Sequence, residues 1–291
     1  MSEKGSEVAE AKHIILPFSG ESRIPSEGLS MRTIVLATQK GGSGKSTLAI
    51  GLALAAQQAG HHVRLIDTDP QATLSNWQCR RGFAEPLVET IRDADNVGQR
   101  LPALDRGGVT LTIIDTASGV TAATKAAIGC ADVCLIPTRP SLADIEATKP
   151  TLRIIRAGMK PFAFILNQTP IRGNRIHLAA NALGDQASRD MVDILAQPFI
   201  AMRNDHQDAL AAGLAVSEYD AFGKASDEIR DLWHWVDARL ARAITAGDDI
   251  GDQPLLRTMS APRFADLAER TPAMRSLSSW GDAGAPWDAC L

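Results

Sequence analysis

The run Ala37-Thr38-Gln39-Lys40-Gly41-Gly42-Ser43-Gly44-Lys45-Ser46-Thr47 constrains this chain more than any other stretch. It follows an apolar, β-branched segment, Thr33-Ile34-Val35-Leu36, and leads into an Ala/Leu-rich stretch, Leu48 to Ala56, of good helix formers. Strand, glycine loop and helix in that order is the context of a phosphate-binding loop. Glycines let the backbone turn inward without Cβ clashes, so that amide N–H groups converge on phosphate oxygens. The helix N-terminus adds unpaired N–H groups and the positive end of its dipole. On this reading Gly41, Gly42, Ser43, Gly44, Lys45, Ser46 and Thr47 cradle a nucleotide. Lys45 reaches the β- and γ-phosphates, and the Ser46 hydroxyl ligates Mg²⁺.

One position departs from the general pattern. G-x-x-x-x-G-K-[ST] asks for glycine where this chain has Gln39, and a second lysine, Lys40, stands directly before Gly41-Gly42. Lys-Gly-Gly-x-Gly-Lys-Ser-Thr resembles the deviant Walker A motif of the ParA/MinD family of ATPases. The resemblance implies a P-loop NTPase fold of the deviant Walker type, with ATP and Mg²⁺ as cofactors. It also makes Lys40 the signature lysine, which acts across a nucleotide-sandwich homodimer.

Two further strand ends supply carboxylates. Leu65-Ile66-Asp67-Thr68-Asp69-Pro70-Gln71 closes an apolar run with two aspartates, and Pro70 ends the strand because it cannot extend a central ladder. In a parallel α/β sheet the strand C-termini face the ligand crevice, so both aspartates approach the phosphates. A carboxylate there can hold metal-bound water or orient the attacking water. Asp-x-Asp-Pro-Gln resembles the ParA branch, which implies a water-positioning role for Asp69 and a Mg²⁺-shell or switch role for Asp67. Leu111-Thr112-Ile113-Ile114-Asp115 brings Asp115 to the same edge and resembles Walker B, whose aspartate holds Mg²⁺ through water. Ala117-Ser118-Gly119 follows where the family often has Gly or Pro, so the switch loop is expected to differ in shape.

From Met31 short apolar strands alternate with helices, which predicts an α/β fold: a doubly wound, mainly parallel sheet with helices on both faces. The strands expected are 33–38, 63–67, 109–115, 132–137, 161–167 and 192–195. The helices expected are 45–59, 71–79, 120–129, 142–157, 175–190, 205–213 and 222–246. In the last of these Ala225, Ile229, Leu232, Trp233, Val236 and Leu240 recur at helical spacing, which makes Trp233 and Trp235 packing residues. The division expected is a flexible tail over 1–30, an ATPase domain over 31–246 and a mostly irregular extension over 247–291. Within the tails, 13–18 is an apolar patch and 260–270 a short amphipathic helix.

The resemblance extends over about 31–246 and implies further roles. Phe162 to Leu166 ends in Asn167, whose amide offers a donor and an acceptor suited to the adenine edge, as in the family. Ser141 or Thr138 is expected to cap the helix after Val133-Cys134-Leu135-Ile136-Pro137, with Arg139 a candidate interface residue. Arg203 is the first candidate for DNA contact, with Arg153, Arg156, Lys160, Arg172 and Arg175 behind it. The formal net charge of −4 means that any DNA contact comes from a local patch, backbone-directed and salt-sensitive.

The function implied is an ATP-dependent dimerising switch that binds DNA nonspecifically and acts in partition of plasmid or chromosomal DNA. A centromere-binding or adaptor protein stimulates its weak hydrolysis. A related positioning or conjugative-transfer ATPase is the alternative within the family, and a MinD-like membrane-associated regulator is another. No run reaches the apolar length of a membrane span, and the N-terminus lacks the apolar core of a signal peptide. Cytoplasmic residence, nucleoid-associated when ATP is bound and without membrane attachment, is the expectation. The four cysteines do not suggest a disulfide scaffold, and Cys130 and Cys134 read as core or incidental thiols rather than ligands of a shared iron–sulfur cluster.

Overall fold

The computed structural model describes residues 30–187 and 194–248. In chain order they form β1 (Arg32–Leu36), α1 (Lys45–Gln58), β2 (Val63–Asp67), α2 (Thr73–Arg80), β3 (Leu87–Thr90), α3 (Ala94–Arg106), β4 (Leu111–Asp115) and α4 (Ala122–Cys130). There follow β5 (Val133–Thr138), α5 (Leu142–Glu146), α6 (Lys149–Ala157), β6 (Phe162–Leu166), α7 (Arg175–Gln186), α8 (Asp205–Ala211), α9 (Val216–Tyr219) and α10 (Lys224–Asp248). The strands make one six-stranded sheet in the order β3-β2-β4-β1-β5-β6, and every pairing is parallel. The doubly wound α/β expectation therefore holds, and the sheet is wholly parallel rather than mainly so.

Parallel strands buried on both faces read as continuous apolar runs, and β1, β4, β5 and β6 do so here. Alternate residues feed two cores. Ile34, Leu36, Leu65, Ile113 and Leu135 pack toward α1 and α10, where Trp233 is fully buried and Trp235 lies against the cluster. Val35, Ile66, Ile114, Ile136 and Phe164 pack toward the opposite helices, from Val97 and Leu104 of α3 to Leu183 of α7. Both tryptophans thus have the packing role read from helical spacing.

The register sets the site. Leu36 pairs with Asp115, and Asp67 pairs with Asp115, so β1, β2 and β4 end level with one another. The loop that leaves β1 emerges between β4 and β5, at the middle of the sheet's C-terminal edge. Open parallel sheets bind ligands there.

Three expectations need correction. β3, α3 and the four-residue α9 are absent from the expected elements. β3 is a four-residue edge strand with half-exposed side chains, and α3 carries Gly98 and Pro102 inside it, so neither shows a strong pattern. The single helix expected over 142–157 is two. Pro150 cannot supply an N–H and its ring crowds the carbonyl four residues back, so α5 stops and α6 restarts around Thr148, whose hydroxyl donates to the Ile145 carbonyl at 2.7 Å. The strand expected at 192–195 reduces, within the described residues, to a parallel bridge between Leu195 and Phe164. The 13–18 patch, the 260–270 helix and Cys290 lie outside the described residues.

Candidate nucleotide site

The loop between β1 and α1 turns on two glycines in the left-handed region, Gly42 (φ 71°) and Gly44 (φ 89°). Gly44 is also the residue before α1, so the first N–H groups of a 14-residue helix open at the loop. Lys45, the first helical residue, is almost fully buried, and its Nζ donates to Ser118 Oγ at 3.2 Å. Burial lowers the Lys45 pKa, with Asp115 and Asp69 working in the opposite direction. The loop after β4 folds down on the glycine loop: Gly119 N donates to the Thr38 carbonyl at 3.4 Å. Ser118 thus offers Lys45 the kind of oxygen that a phosphate would, a contact that the Ala-Ser-Gly sequence does not reveal in advance.

Ser46 and Asp115 meet as expected. Ser46 Oγ donates to Asp115 Oδ2 at 2.5 Å, while Asp115 Oδ1 is buried without a hydrogen-bond partner. Burial pushes the Asp115 carboxyl up to about 7; the Ser46 hydrogen bond and Lys45 counter it, and Asp67 and Asp69 add to it. Ser43 Oγ is likewise buried and unpartnered. Buried polar atoms are ordinarily paired. The orphaned oxygens here stand where the sequence expects Mg²⁺ and phosphate, and the donor set fits them. Mg²⁺ takes one or two protein oxygens together with substrate phosphates. It therefore needs no cluster of three or more acidic or histidine ligands, and none occurs among the described residues.

Asp67 is engaged elsewhere. Its Oδ2 accepts from Ser75 N (3.0 Å) and Ser75 Oγ (2.9 Å), and its Oδ1 accepts from Asp69 N (3.1 Å) and Arg92 Nη1 (3.3 Å). Of its two expected roles, this geometry suits the switch role, because the carboxylate ties the β2–α2 loop to β3's exit. Asp69 is half-buried, and its Oδ1 accepts from Gln71 N at 2.9 Å. Lys40 lies at the loop's outer lip, with Nζ 3.2 Å from Asp144 Oδ2. Asp144 also holds Arg139 at 3.0 Å, and Ser141 caps α5.

Asn167 reaches the glycine loop, where its amide holds protein partners. Nδ2 donates to the Ser43 carbonyl at 2.8 Å, and Oδ1 accepts from Gln168 N at 2.9 Å. Both groups that were to read adenine therefore hold protein partners. Arg203 is paired within the chain: Glu228 of α10 accepts from its Nη2 at 2.5 Å, and the residue lines a cleft beside the glycine loop. That cleft, about 220 Å³, is bounded by Gly42, Gly44, Leu48, Asn167, Met202 and His206. Sites that enclose a whole drug-sized ligand measure about 300–1,000 Å³, so this cleft suits part of one, the remainder lying over the loop.

Cys134 is buried, and burial pushes its thiol up to about 12, which favours the thiol over the thiolate that binds iron. Among the described residues no helix is long and apolar enough to cross a membrane.

Comparison with known families matches residues 34–226 to the CobQ/CobB/MinD/ParA nucleotide binding domain. The chain is similar to the protein ParA of Rhizobium radiobacter, at 29% identity over 127 residues, which is 43% of this chain and 56% of ParA. It is similar to the chromosome-partitioning ATPase Soj of Thermus thermophilus, at 28% over 45% of this chain and 65% of Soj. The match therefore spans less than two thirds of either relative. It is also similar to maintenance of carboxysome distribution protein A of Gloeothece citriformis, at 28% over 65% of this chain and 90% of that protein. Among solved structures, MinD of Pyrococcus horikoshii with Mg-ADP superposes with a TM-score of 0.60 at 18% identity, covering 73% of this chain and 98% of MinD. An ATP complex of McdA from Cyanothece gives 0.57 at 20%, covering 79% of this chain and 100% of that one. At such identities these two likenesses establish the fold.

Proposed function

Because the chain belongs to the CobQ/CobB/MinD/ParA nucleotide-binding family, we propose that it is an ATP-dependent dimerising switch that binds DNA nonspecifically and serves DNA partition. The observation that carries the proposal is the convergence of Lys45, Ser46 and Asp115 under a glycine loop whose outer lip bears Lys40. Gly41 to Thr47 would hold the phosphates through backbone N–H groups, and Lys45 would exchange Ser118 for phosphate oxygens. Ser46 and Asp115 would hold Mg²⁺, the Asp115 carboxylate acting on water bound to it. The metal supplies charge neutralisation on the phosphates.

Asp69 would orient the attacking water, with Asp67 fixing the loop that carries it through Asp69 N. Intrinsic turnover should be weak, and a partner protein should raise it. Lys40 would leave Asp144 and reach the phosphates of a second protomer.

A second reading has its own support. Of the three relatives named, the match to the carboxysome-distribution protein runs over the largest part of both chains, which favours positioning of a cargo other than DNA. Both readings share the switch. Sizing with ATP, with ADP and without nucleotide tests it: a dimer that forms only with ATP supports the switch, and an unchanged monomer overturns it. DNA co-sedimentation with ATP separates the readings further.

A further inference from the structure

Resting on the water-positioning reading of Asp69 above, we propose that Arg92 is a positioning residue for hydrolysis. It locks the β2–α2 loop in the shape that presents the Asp69 carboxylate to the nucleotide. Arg92 stands between β3 and α3, one residue before the Asp93 cap of α3. From there its Nη1 reaches three acceptors on the loop. It donates to Asp67 Oδ1 at 3.3 Å, to the Asp67 carbonyl at 3.4 Å and to the Asp69 carbonyl. Asp67 is fully buried, and Arg92 is the cation paired with it. Asp67 Oδ1 also accepts from Asp69 N at 3.1 Å. Arg92, the Asp67 carboxylate and the two peptide groups of Asp69 therefore form a closed set of bonds.

The loop has a use for such a lock. Ala72, the residue before α2, has φ 55° and ψ 37°, a left-handed conformation that any side chain disfavours. Such residues persist where the surrounding bonds over-determine them. The Asp69 carbonyl closes this turn by accepting from Ala72 N at 2.8 Å, and the same carbonyl is held by Arg92. The start of the loop is fastened to β4, where Thr68 N and Thr68 Oγ1 donate to the Asp115 carbonyl at 3.0 and 2.9 Å. With its backbone fixed on both sides, Asp69 keeps one carboxylate oxygen on Gln71 N and has Oδ2 for water. The Asp69 charge acts on both Lys45 and Asp115, the groups at the phosphate and metal corner. The hydrogen bonds of Arg92 run to Asp67 and Asp69, so it acts on that corner through them. One nitrogen serves all three acceptors, so a lysine ammonium can replace part of the lock, and an alanine none of it.

The test is single-turnover hydrolysis of saturating Mg-ATP by the full chain, with the Kd for ATP measured beside it. The variants are Arg92→Ala, Arg92→Gln, Arg92→Lys, Asp69→Ala and the double variant of Arg92→Ala with Asp69→Ala. Arg92→Ala should hydrolyse about 10–100-fold more slowly, the scale of a small misplacement of a reacting group, and bind ATP as the wild type does. Arg92→Lys should recover most of the rate. Arg92→Gln should show the same loss at the same affinity, and it stands in if Arg92→Ala does not fold. The double variant should hydrolyse no more slowly than Asp69→Ala, because Arg92 acts through Asp69. A wild-type rate in a folded Arg92→Ala or Arg92→Gln would overturn the assignment. So would an equal fall in rate and affinity, or a double variant slower than Asp69→Ala by the full Arg92 factor. Each of these leaves the role of Asp69 standing. A wild-type rate in Asp69→Ala overturns the water-positioning reading itself, and a wild-type chain that hydrolyses no ATP overturns the ATPase reading.

Discussion

Lys40 and Asp144 form an ion pair, Nζ to Oδ2 at 3.2 Å, within one chain. The lysine that would act on a second protomer is thus held by its own α5 when the chain is alone. Asp144 is almost fully buried and keeps Arg139 and Ser141 as further partners, so it does not depend on Lys40 for neutralisation. Lys40 is over a third exposed, and such pairs contribute about 0–1 kcal/mol. Lys40→Ala should therefore fold normally and bind ATP, yet fail to dimerise with it. Light scattering coupled to sizing reads this directly; a wild-type dimer in that variant would sink the sandwich reading.

Ser46 and Asp115 share one proton contact, with the second carboxylate oxygen left over. If that corner holds Mg²⁺, chelation by EDTA should weaken ATP binding and abolish hydrolysis. Ser46→Ala and Asp115→Asn should each reduce Mg²⁺ affinity by about 10–100-fold, the usual cost of removing a ligand's support. Titrating Mg²⁺ at fixed ATP, with a fluorescent nucleotide as the reporter, measures the shift. Equal ATP affinity with and without EDTA would argue against metal at this corner.

Gly44 permits two things at once. Its φ of 89° is disfavoured for any side chain, and a Cβ there would run into Asn167 Nδ2, which holds the Ser43 carbonyl. Gly44→Ala should cost about 1–3 kcal/mol of stability through backbone strain. It should also lose nucleotide binding by displacing Asn167. Gly60, with φ 96° and open space around it, is the control: Gly60→Ala meets strain alone. It should lower the urea midpoint and leave nucleotide affinity unchanged.

Much of this architecture could be read in advance, and the reasons are local. The glycine loop is a contiguous pattern flanked by a strand and a helix, and Asp67 and Asp115 each close an apolar run, so parallel registry alone brings them level. The chain's weak signals lie where tertiary packing decides. β3 survives by pairing with β2 along an exposed edge, and α3 tolerates Pro102 because Val97 and Leu104 are buried. Asn167 ends β6 beside the glycine loop, and its contact there depends on Ser43, 124 residues away. Arg203, the first candidate for DNA contact, is paired by Glu228, which arrives from α10 and is not signalled by the local sequence. Asp144 and Ser118 owe their contacts to such long-range approaches, which no spacing rule encodes.

Acid should destabilise the chain through His61. Its ring meets Trp233 edge-on with centroids 5.3 Å apart, and burial holds its pKa below the ordinary value, with Asp237 offsetting this in part. The unfolded chain therefore takes up the proton first as pH falls. The stability tied to the neutral ring is complete above about pH 6.5 and declines below it. Asp115, whose carboxyl is pushed up to about 7, works in the opposite direction below that pH, so the His61 contribution is read as the difference between the urea midpoints of the wild type and His61→Gln on either side of that value. His206, also lowered by burial, contributes in the same direction, so a residual slope is expected in the single variant.

Fold stability and site chemistry should separate at Arg81. Its side chain is 3% exposed, and its guanidinium makes two 2.7 Å hydrogen bonds to Glu218, with the Trp77 and Phe83 ring centroids at 4.9 and 5.2 Å. Glu218 in turn accepts from Ala215 N at 2.9 Å, which starts α9. Removing one partner of a buried pair leaves the other charge uncompensated, at a cost of about 3–5 kcal/mol. Arg81→Ala should therefore lower the melting temperature sharply and loosen α2 from α9. Arg81→Met with Glu218→Leu removes both charges and fills the space, so it should recover most of that loss. None of these residues touches the glycine loop, the metal corner or the cleft beside that loop. Nucleotide affinity, measured well below the melting point, should stay at the wild-type value in both variants. A parallel fall in affinity would mean that the α2–α9 contact holds the nucleotide site in shape.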